Sequence, residues 1–311
     1  MPLGTNHNSA TTLAPFIPEI WGQKINDYYR ANLTMASFFV DRSDEMVEGG
    51  DTLHTPNLTA MGANDKANGS QVTLNAATET SVDLLVNTWK EVSFLIEDKE
   101  TAQMKRSYQL QDRKARDAGY EAAAALENAI AALFSGFSQT VGASGTDISD
   151  DEIREAIATL SAANVTGMRQ DQSVDQEVAF FFHPTVFWRQ VQELDRFALA
   201  QNSPVNDPTA KRPAAFLYGI PVYLSTNVPV VSTDPDTGRR NLLANKDALH
   251  WASSPLPRSS MSQFIGTEGV RVQTNYIPEY LGWLTTADVV FGVIENRDNA
   301  AVQLLTHISH T

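Results

Sequence analysis

The chain has 311 residues, an apolar content of 42%, no cysteine and a formal net charge of −14. This length and composition allow at least one large core, and the absence of cysteine excludes disulfides, thiolate nucleophiles and zinc–thiolate sites. The acidic charge argues against a protein that coats nucleic acid, although it is compatible with one that merely encloses it.

The first forty residues are predicted to form a polar segment, a helix and a short strand. The predicted boundaries are 1–17, 18–36 and 38–40. Proline at position 18 suits the first turn of a helix, and the start of the chain lacks the basic and apolar regions of a secretory signal. No apolar run approaches the roughly 20 residues of a membrane span.

A long extended arm is predicted next. Its parts are a turn at Gly49 and Gly50, an edge strand over 52–59, a tip over 61–71 that contains Lys66, and strands over 72–97. The tip is almost entirely polar. An isolated two-stranded arm is marginal in water, so this arm must lie on something.

An unusually long helix is predicted from the N-cap Asp98 to a stop at Gly136, about 54 Å at 1.5 Å per residue. It is charged nearly all round before Ala122, which indicates projection beyond the core, and apolar nearly all round afterwards, which indicates burial. The basic residues of its first half are interleaved with acidic ones, which favours a solvated or subunit-contacting face over a DNA site. These basic residues are Lys105, Arg106, Arg113 and Arg116.

The second half of the chain mixes strands and helices. Ser149 and Glu152 form a capping box for a helix that is predicted to reach about 163. The other predicted elements are strands at 178–182, 219–225, 248–252, 270–274 and 300–305, a helix at 184–197, a turn at 235–238, and an unassigned apolar element at 284–294. The fold class is therefore α+β with mixed sheets and without sequence repeats.

The common catalytic and ligand-binding motifs are missing from this sequence. The sequence has no phosphate-binding glycine loop, no G-x-S-x-G elbow and no H-E-x-x-H pair, so no catalytic, cofactor-binding or metal-binding residue is predicted. His183 lies between a buried strand and Pro184; a helix-starting role is favoured, and a base would need geometry that sequence cannot supply. Asp234 and Asp236 resemble part of a calcium loop, but a hairpin turn is favoured.

The order of these elements resembles the major capsid proteins of tailed bacteriophages of the Hong Kong 97 type. The resemblance covers nearly the whole chain, although each local phrase is short. The phrases are Pro18–Trp21, Glu48–Pro56 (EGGDTLHTP), Trp89–Asp98 leading into the long helix, His183-Pro184, Gly219–Tyr223, Gly292-Val293 and Ala300–Val302.

The resemblance implies a domain organisation. Residues 1–36 would be the N-terminal arm and helix, 37–97 the extended loop, 98–137 the spine helix of the peripheral domain, 138–265 the axial domain, and 266–311 the return strands of the peripheral domain. Assembly would depend on a pivot at Gly49 and Gly50 and on the loop tip at Lys66. Relatives that cross-link use Lys and Asn, but nothing here identifies a partner for Lys66, so cross-linking is not predicted.

The implied function is a subunit of an icosahedral virion shell around double-stranded DNA, assembled in the host cytoplasm without cofactors or catalysis. Its partners would be copies of itself in pentamers and hexamers, a portal and, optionally, a decoration protein. Because no fused scaffolding segment is found, a separate scaffolding protein is also implied. It would enclose DNA without sequence-specific binding and would not contact a membrane. The alternatives are an encapsulin-type cargo shell, a hydrolase or transferase with a spatially assembled site, and a tail-tube or decoration protein.

Overall fold

The structure is a computed structural model that describes most of the chain. The described residues are 33–47, 49–58, 61–75, 79–103, 110–163, 165, 177–194, 216–233, 236–257, 262–265 and 269–307. Their α-helices are α1 (Met35–Phe38), α2 (Asp98–Gln103), α3 (Leu110–Ala132), α4 (Asp150–Ala162) and α5 (Pro184–Arg189). Short 3-10 helices lie at Ser43–Met46, Leu133–Ser135, Val191–Glu193, Lys246–Ala248 and Asp298–Ala300.

The first sheet is built around one long strand. Its strands are β1 (Val40–Asp41), β4 (Thr88–Glu97), β11 (Leu249–Ser253), β12 (Ser262–Ile265), β13 (Val270–Ile277) and β14 (Gly282–Glu295). The order is β1-β11-β14-β13-β12, with β4 also paired to β14. Strand β14 is antiparallel to all three of its neighbours, and β4 pairs with ten of its residues. Because β14 is long enough to pair with β4, β11 and β13, these three strands belong to one sheet.

The second sheet consists of shorter strands. They are β5 (Thr140–Gly142), β6 (Val178–Phe182), β7 (Phe216–Leu217), β8 (Ile220–Leu224), β9 (Val230–Thr233), β10 (Asp236–Asn245) and β15 (Ala301–His307). The order is β5-β15-β10-β6-β8-β7, with β9 paired to β10. Strand β6 is central and buried along its whole length, which explains why its sequence is a continuous apolar run instead of an alternating one.

A third, two-stranded sheet projects from the first. Strands β2 (Thr52–Asn57) and β3 (Thr80–Leu85) form an antiparallel ribbon. Because the ribbon has only two strands, Pro56 lies in an edge strand, as predicted, where its missing N–H need not break a central ladder.

Two large cores stabilise these layers. Helix α3 packs on the first sheet and contributes Leu126 and Ile130, both almost completely buried, to a core that also includes Phe181. Helices α4 and α5 cover the second sheet, and their core includes Phe180 and Phe182. Alternate phenylalanines of β6 therefore enter opposite cores and join the two packing units.

Several predicted elements are confirmed. Helix α4 begins with the predicted capping box, in which Ser149 Oγ accepts from Glu152 N and the Glu152 carboxylate accepts from Ser149 N. The predicted strands appear as β6, β8, β11, β13 and β15. Strands β9 and β10 form a hairpin with Thr233 opposite Asp236, which confirms the favoured hairpin. The turn predicted over 235–238 was misplaced, because residues 236–238 already belong to β10, and residues 234 and 235 lie outside the described residues. The unassigned apolar element is β14.

Other boundaries were predicted wrongly. Phe38 belongs to helix α1, and the short strand begins at Val40. The α-helix predicted over 184–197 ends at Arg189, a 3-10 turn follows at Val191–Glu193, and residues 195–197 lie outside the described residues. The side chain of Gln190, between the helix and the turn, is held by tertiary contacts: its Nε2 donates to the His307 carbonyl and its Oε1 accepts from Ile148 N.

The long helix is described in two parts. Helix α2 begins at Asp98 as predicted, residues 104–109 lie outside the described residues, and α3 ends at Ala132 before a 3-10 turn. Gly136 is the C-cap that follows this turn, so the helical segment stops at the predicted residue, although the backbone there is right-handed with a φ of −73°. The helix predicted from Pro18 lies outside the described residues up to position 32, and only Met35–Phe38 is described as helical.

Candidate assembly arm and long helix

The projecting ribbon carries exposed apolar side chains. We call β2, β3 and the residues that join them the arm. Beyond its paired strands, four apolar side chains are between 70% and 88% exposed: Leu58, Met61, Val72 and Leu74. The two legs remain adjacent there, because Asn64 Nδ2 donates to Asn75 Oδ1 over 2.6 Å and Asn75 Nδ2 donates to the Gly62 carbonyl. Apolar surface concentrated on a projecting element is typical of an interaction site.

The base of the arm is firmly packed on the first sheet. Met46, Leu84, Val86 and Ala252 form a small buried cluster, which we call the arm root. Val86 N donates to the Asp51 carbonyl over 2.7 Å and closes the ribbon. A Cβ atom at Gly292 of β14 would overlap the Leu85 carbonyl oxygen and lie 3.0 Å from Val86 Cα. The absence of a side chain at Gly292 therefore lets the arm root lie directly on β14.

Gly49 and Gly50 connect the arm to the 3-10 turn at Ser43–Met46. Their φ angles are +93° and +128°, which other residues adopt only with strain, and a Cβ at either position would meet open space. The conformation alone explains why glycine is needed there. Movement about these residues stays a prediction.

Lys66 lies at the exposed tip of the arm. Its ammonium group donates to the Ala67 carbonyl over 2.9 Å and to the Ser70 carbonyl. Asn68 and Gly69 form the turn that these bonds close, with Gly69 at φ +79°. A role for Lys66 in assembly stays a prediction.

The basic residues of the long helix are only partly described. Lys105 and Arg106 lie outside the described residues. Arg113 is half-buried and Arg116 is exposed, both on α3. Between them, Lys114 lies 5.8 Å from the centre of the Phe94 ring, so this part of α3 contacts β4. Whether these residues contact another subunit stays a prediction.

A buried glutamate that sequence reasoning missed joins α3 to the start of the described chain. The Glu127 carboxylate accepts hydrogen bonds from the backbone N–H groups of Thr34, Met35 and Ala36 at 2.7, 2.8 and 3.0 Å. It thereby caps the first turn of α1. The signal was present in the sequence, because Glu127 is the single charged residue between positions 122 and 134, and a buried charge requires a partner.

His183 has the structural role that was favoured. It is the N-cap of α5, and its Nδ1 accepts from Thr185 N over 3.2 Å. Burial, helped by the nearby Arg239 charge, lowers the pKa of His183 to about 4. The ring is therefore neutral at physiological pH and serves as a hydrogen-bond acceptor for the helix start.

Within the described part of the chain, no group of three or more His, Asp or Glu side chains is arranged to hold a metal ion. No helix in the same residues is long and apolar enough to cross a bilayer.

Comparison with protein families finds no matching family model, and no curated protein matches the sequence. Solved structures do match. A capsid structure of cyanophage P-SCSP1u is 13% identical, with a TM-score of 0.71 over 99% of this chain and 97% of that chain. The capsid asymmetric unit of cyanophage Pam1 is 13% identical, with a TM-score of 0.68 over 99% of this chain and 100% of that chain.

A third match is the mature capsid of bacteriophage PhiM1, 11% identical with a TM-score of 0.68, covering 94% of this chain and 93% of that chain. The likeness spans both sheets, the long helix and the arm, since nearly the whole of each chain is covered. The mixed helix-and-strand fold of this protein is therefore the fold of phage capsid proteins.

Proposed function

We propose that this chain is the major capsid protein of a tailed bacteriophage and builds the icosahedral shell that encloses its double-stranded DNA. One observation carries the proposal: an arm with exposed apolar residues projects from a chain whose fold matches phage capsid structures over nearly its full length. An arm of this kind gains stability by lying on another copy of the same chain. Its role would be structural, without catalysis.

The domain organisation of the Hong Kong 97 type is part of the proposal. The peripheral domain would consist of the long helix and the first sheet, and the axial domain of the second sheet with α4 and α5. Strand pairing supports two changes to the sequence-based boundaries. Strand β11 pairs with β14 and so belongs with the first sheet, whereas β15 pairs with β10 and so belongs with the second.

Assembly would proceed through many modest contacts between identical subunits. Each contact that forms raises the effective concentration for the next, and closed symmetry limits growth. The arm would adapt to pentamers and hexamers by bending at Gly49 and Gly50, and the tip at Lys66 and the basic face of the long helix would meet neighbouring copies. A scaffolding protein, a portal and a decoration protein are the further partners proposed.

The shell would hold DNA without reading its sequence. A net charge of −14 opposes tight contact with phosphates, so packaged DNA would be confined instead of bound. The virion is the proposed location of the protein.

The test is to purify the full-length protein, with its scaffolding protein co-expressed, and to examine it by light scattering and electron microscopy. Closed shells or ring-shaped capsomers are the expected result. A monomer or dimer with enzymatic turnover would overturn the proposal. Shells that contain a protein cargo and never a portal would assign the fold to an encapsulin-type compartment instead.

A further inference from the structure

Strand β4 has one free edge. It pairs with β14 along one side, and in the described part of the chain no strand and no backbone group pairs with its other side. Among the described strands that are paired on one side only, β4 is the longest. A free edge presents a row of backbone N–H and C=O groups that can bond to a further strand. The edge of β4 is therefore a template for one more strand.

The side chains of β4 divide between the two faces of the first sheet. Val92 and Phe94 point toward α3 and pack against the core that this helix covers. Side chains alternate along a strand, so the odd-numbered residues share the opposite face, which we call the outer face. They are Trp89, Glu91, Ser93 and Leu95. Glu91 and Ser93 are exposed and Leu95 is half-buried, so the outer face beside the free edge is accessible to a partner.

Trp89 is 65% exposed on the outer face, yet its indole ring is held in place. Its Nε1 donates to Asp288 Oδ2 over 3.2 Å, and Asp288 accepts two hydrogen bonds from Arg271, of 2.9 and 2.6 Å. Asp288 is almost completely buried, so the ring has a fixed anchor. An aromatic ring that is fixed before contact loses little freedom when a partner binds, which is typical of an interface hot spot.

Two copies of this edge can pair about a two-fold axis perpendicular to the sheet. Such an axis makes the two strands antiparallel and leaves every side chain on its own face. Each residue then lies opposite a residue that is an even number of positions away in sequence. The register is therefore defined by the residue that lies on the axis.

Like charges exclude most of the possible registers. An axis at Lys90 or at Glu91 places that residue opposite its own copy, and an axis at Phe94 places Glu91 opposite Glu97. An axis at Ser93 opposes no like charges, but it places charged side chains opposite apolar ones. One register remains among those centred on residues 90–94.

That register has its axis at Val92. Trp89 of each copy then lies opposite Leu95 of the other, and Glu91 lies opposite Ser93. No like charges are opposed over residues 88–96, and each indole ring covers an apolar side chain. Because the contact is symmetric, the tryptophan supplies two equivalent contacts. Charge and apolar contact thus select the same register independently.

We propose that two copies of this chain pair through β4, antiparallel about a two-fold axis at Val92, so that their first sheets form one continuous sheet. Backbone hydrogen bonds between the edges supply the attachment, and Trp89 sets the register. The pairing deepens the proposed function, on which it rests for the choice of a second copy as partner, by assigning one two-fold contact between subunits. The contact is isologous and closes on itself.

The test exploits the absence of cysteine from this sequence. Full-length Glu91→Cys and Ser93→Cys proteins, each with its own tag, are mixed before assembly, oxidised mildly and separated on non-reducing gels. Opposed residues of an antiparallel pair lie about 4.5–5.5 Å apart, within reach of a disulfide, whereas residues displaced by two positions lie about 7–8 Å apart. Linked dimers that carry both tags should therefore outnumber those that carry one tag twice.

The matched control is Asn299→Cys, exposed and outside β4, which should form few links when it is mixed with Glu91→Cys. Equal numbers of mixed-tag and single-tag dimers would overturn the register. A stronger link between Glu91→Cys and Val72→Cys would show that the edge binds the arm of another copy and would overturn the pairing. Closed shells without the 91–93 link would overturn the pairing alone, whereas linked dimers that never form shells would support it and contradict the capsid function.

A second pair of variants tests the register without oxidation. Ser93→Glu places a carboxylate opposite the partner's Glu91, whereas Ser93→Lys places an ammonium group there. Sedimentation of the full-length proteins, below the concentration that gives shells, should show a dimer Kd about tenfold higher for Ser93→Glu than for Ser93→Lys. The same two substitutions at Ser161, exposed on α4, change the net charge equally and should differ little. An equal difference at both positions would contradict the pairing.

Discussion

At the scale of single residues, the base of the arm depends on a close approach between two backbones. Gly292 lies beneath Leu85 and Val86, and these residues belong to, or adjoin, the buried arm root. The hydrogen bond from Val86 N to the Asp51 carbonyl is made at the same level. The lack of a side chain at Gly292 therefore determines how closely the arm root packs on β14, although Gly292 is more than two hundred residues from Leu85 and Val86 in sequence.

Gly292→Ala should loosen the arm root. The added methyl group would push Leu85 and Val86 away from β14, and overpacking of this kind costs about 1–3 kcal/mol. Chemical denaturation should show that decrease in the free energy of unfolding, with faster amide exchange at residues 84–86. Gly62→Ala makes the same change at the arm tip, where a Cβ meets open space, and should leave both measurements unchanged.

Glu127→Gln should destabilise the protein by weakening the cap of α1. The wild-type carboxylate accepts three backbone N–H groups, whereas a glutamine amide offers one acceptor oxygen and brings an NH₂ group toward donors. Loss of charge-assisted bonds to buried donors costs about 1–3 kcal/mol. Thermal unfolding would measure the loss. Glu121→Gln, at an exposed position of the same helix, is the control and should be nearly neutral.

His183 should contribute a pH-dependent part of the stability. Its folded-state pKa of about 4 lies below the ordinary 6.5, so the unfolded chain binds the proton more tightly. The stabilisation is therefore complete above about pH 6.5 and is lost as the pH falls toward about 4. His183→Asn keeps a cap acceptor without a titrating ring. The difference in unfolding free energy between the two proteins should grow in favour of the variant across that range, and a constant difference would contradict the assignment.

Sequence patterns could predict some of these residues but not others. The capping box of Ser149 and Glu152 is local, and its two partners are three positions apart, so it was found. The contacts of Glu127 with Met35 and of Gly292 with Leu85 join distant segments, and neither leaves a periodic signal. In a single sequence, contacts of this kind are indicated only by a lone charged residue in an apolar run or by a glycine in a strand.

At the scale of elements, the arm separates into a packed base and an exposed end. Leu84 and Val86 are buried at the base, whereas Leu58 and Leu74 are almost fully exposed further out. Removing the whole arm would therefore damage the first sheet as well as any contact between subunits. A useful deletion must keep the base intact.

Replacing residues 58–79 by an Asn-Gly turn should satisfy that condition. Asn57 and Thr80 are opposite each other in the ribbon, and a two-residue turn can join paired positions of an antiparallel hairpin. The shortened protein should keep the thermal stability of the wild type but fail to form closed shells in electron micrographs. Normal shells from it would show that the exposed end of the arm is dispensable.

The matched control for this deletion keeps the length of the arm and changes its surface. Serine at Leu58, Met61, Val72 and Leu74 removes the exposed apolar groups but leaves the ribbon in place. If apolar contact drives the association, this variant should assemble as poorly as the shortened one. If it assembles normally, the backbone of the arm matters and its apolar side chains do not.

Elements were predicted more reliably where local signals and tertiary packing agree. Strand β6 is a continuous apolar run because both of its faces are buried, and its type was clear from sequence. Strand β14 was left unassigned because an apolar run of that length is compatible with a helix or a strand, and its partners β4, β11 and β13 are scattered along the chain. Helix α5 was predicted too long because the apolar pattern continues into the 3-10 turn at Val191–Glu193, beyond the end of the α-helix at Arg189.

At the scale of the whole molecule, the two sheets are separate layers joined by shared parts. Strand β6 sends Phe181 into one core and Phe180 and Phe182 into the other, and the long helix covers the first sheet while its end leads into the second. The two sheets are therefore packed into one connected body.

The net charge of −14 makes a prediction about assembly. Like-charged subunits repel each other, and salt shortens the range of that repulsion from about 30 Å at 0.01 M to about 8 Å at 0.15 M ionic strength. The protein concentration needed for shells to form should therefore fall as sodium chloride is raised over this range, as followed by light scattering. A charge-reduced variant with Asp65→Asn, Glu121→Gln and Glu155→Gln, all at exposed positions, should assemble at lower salt and respond less steeply. Assembly that weakens with added salt would show instead that ion pairs between subunits outweigh the overall repulsion.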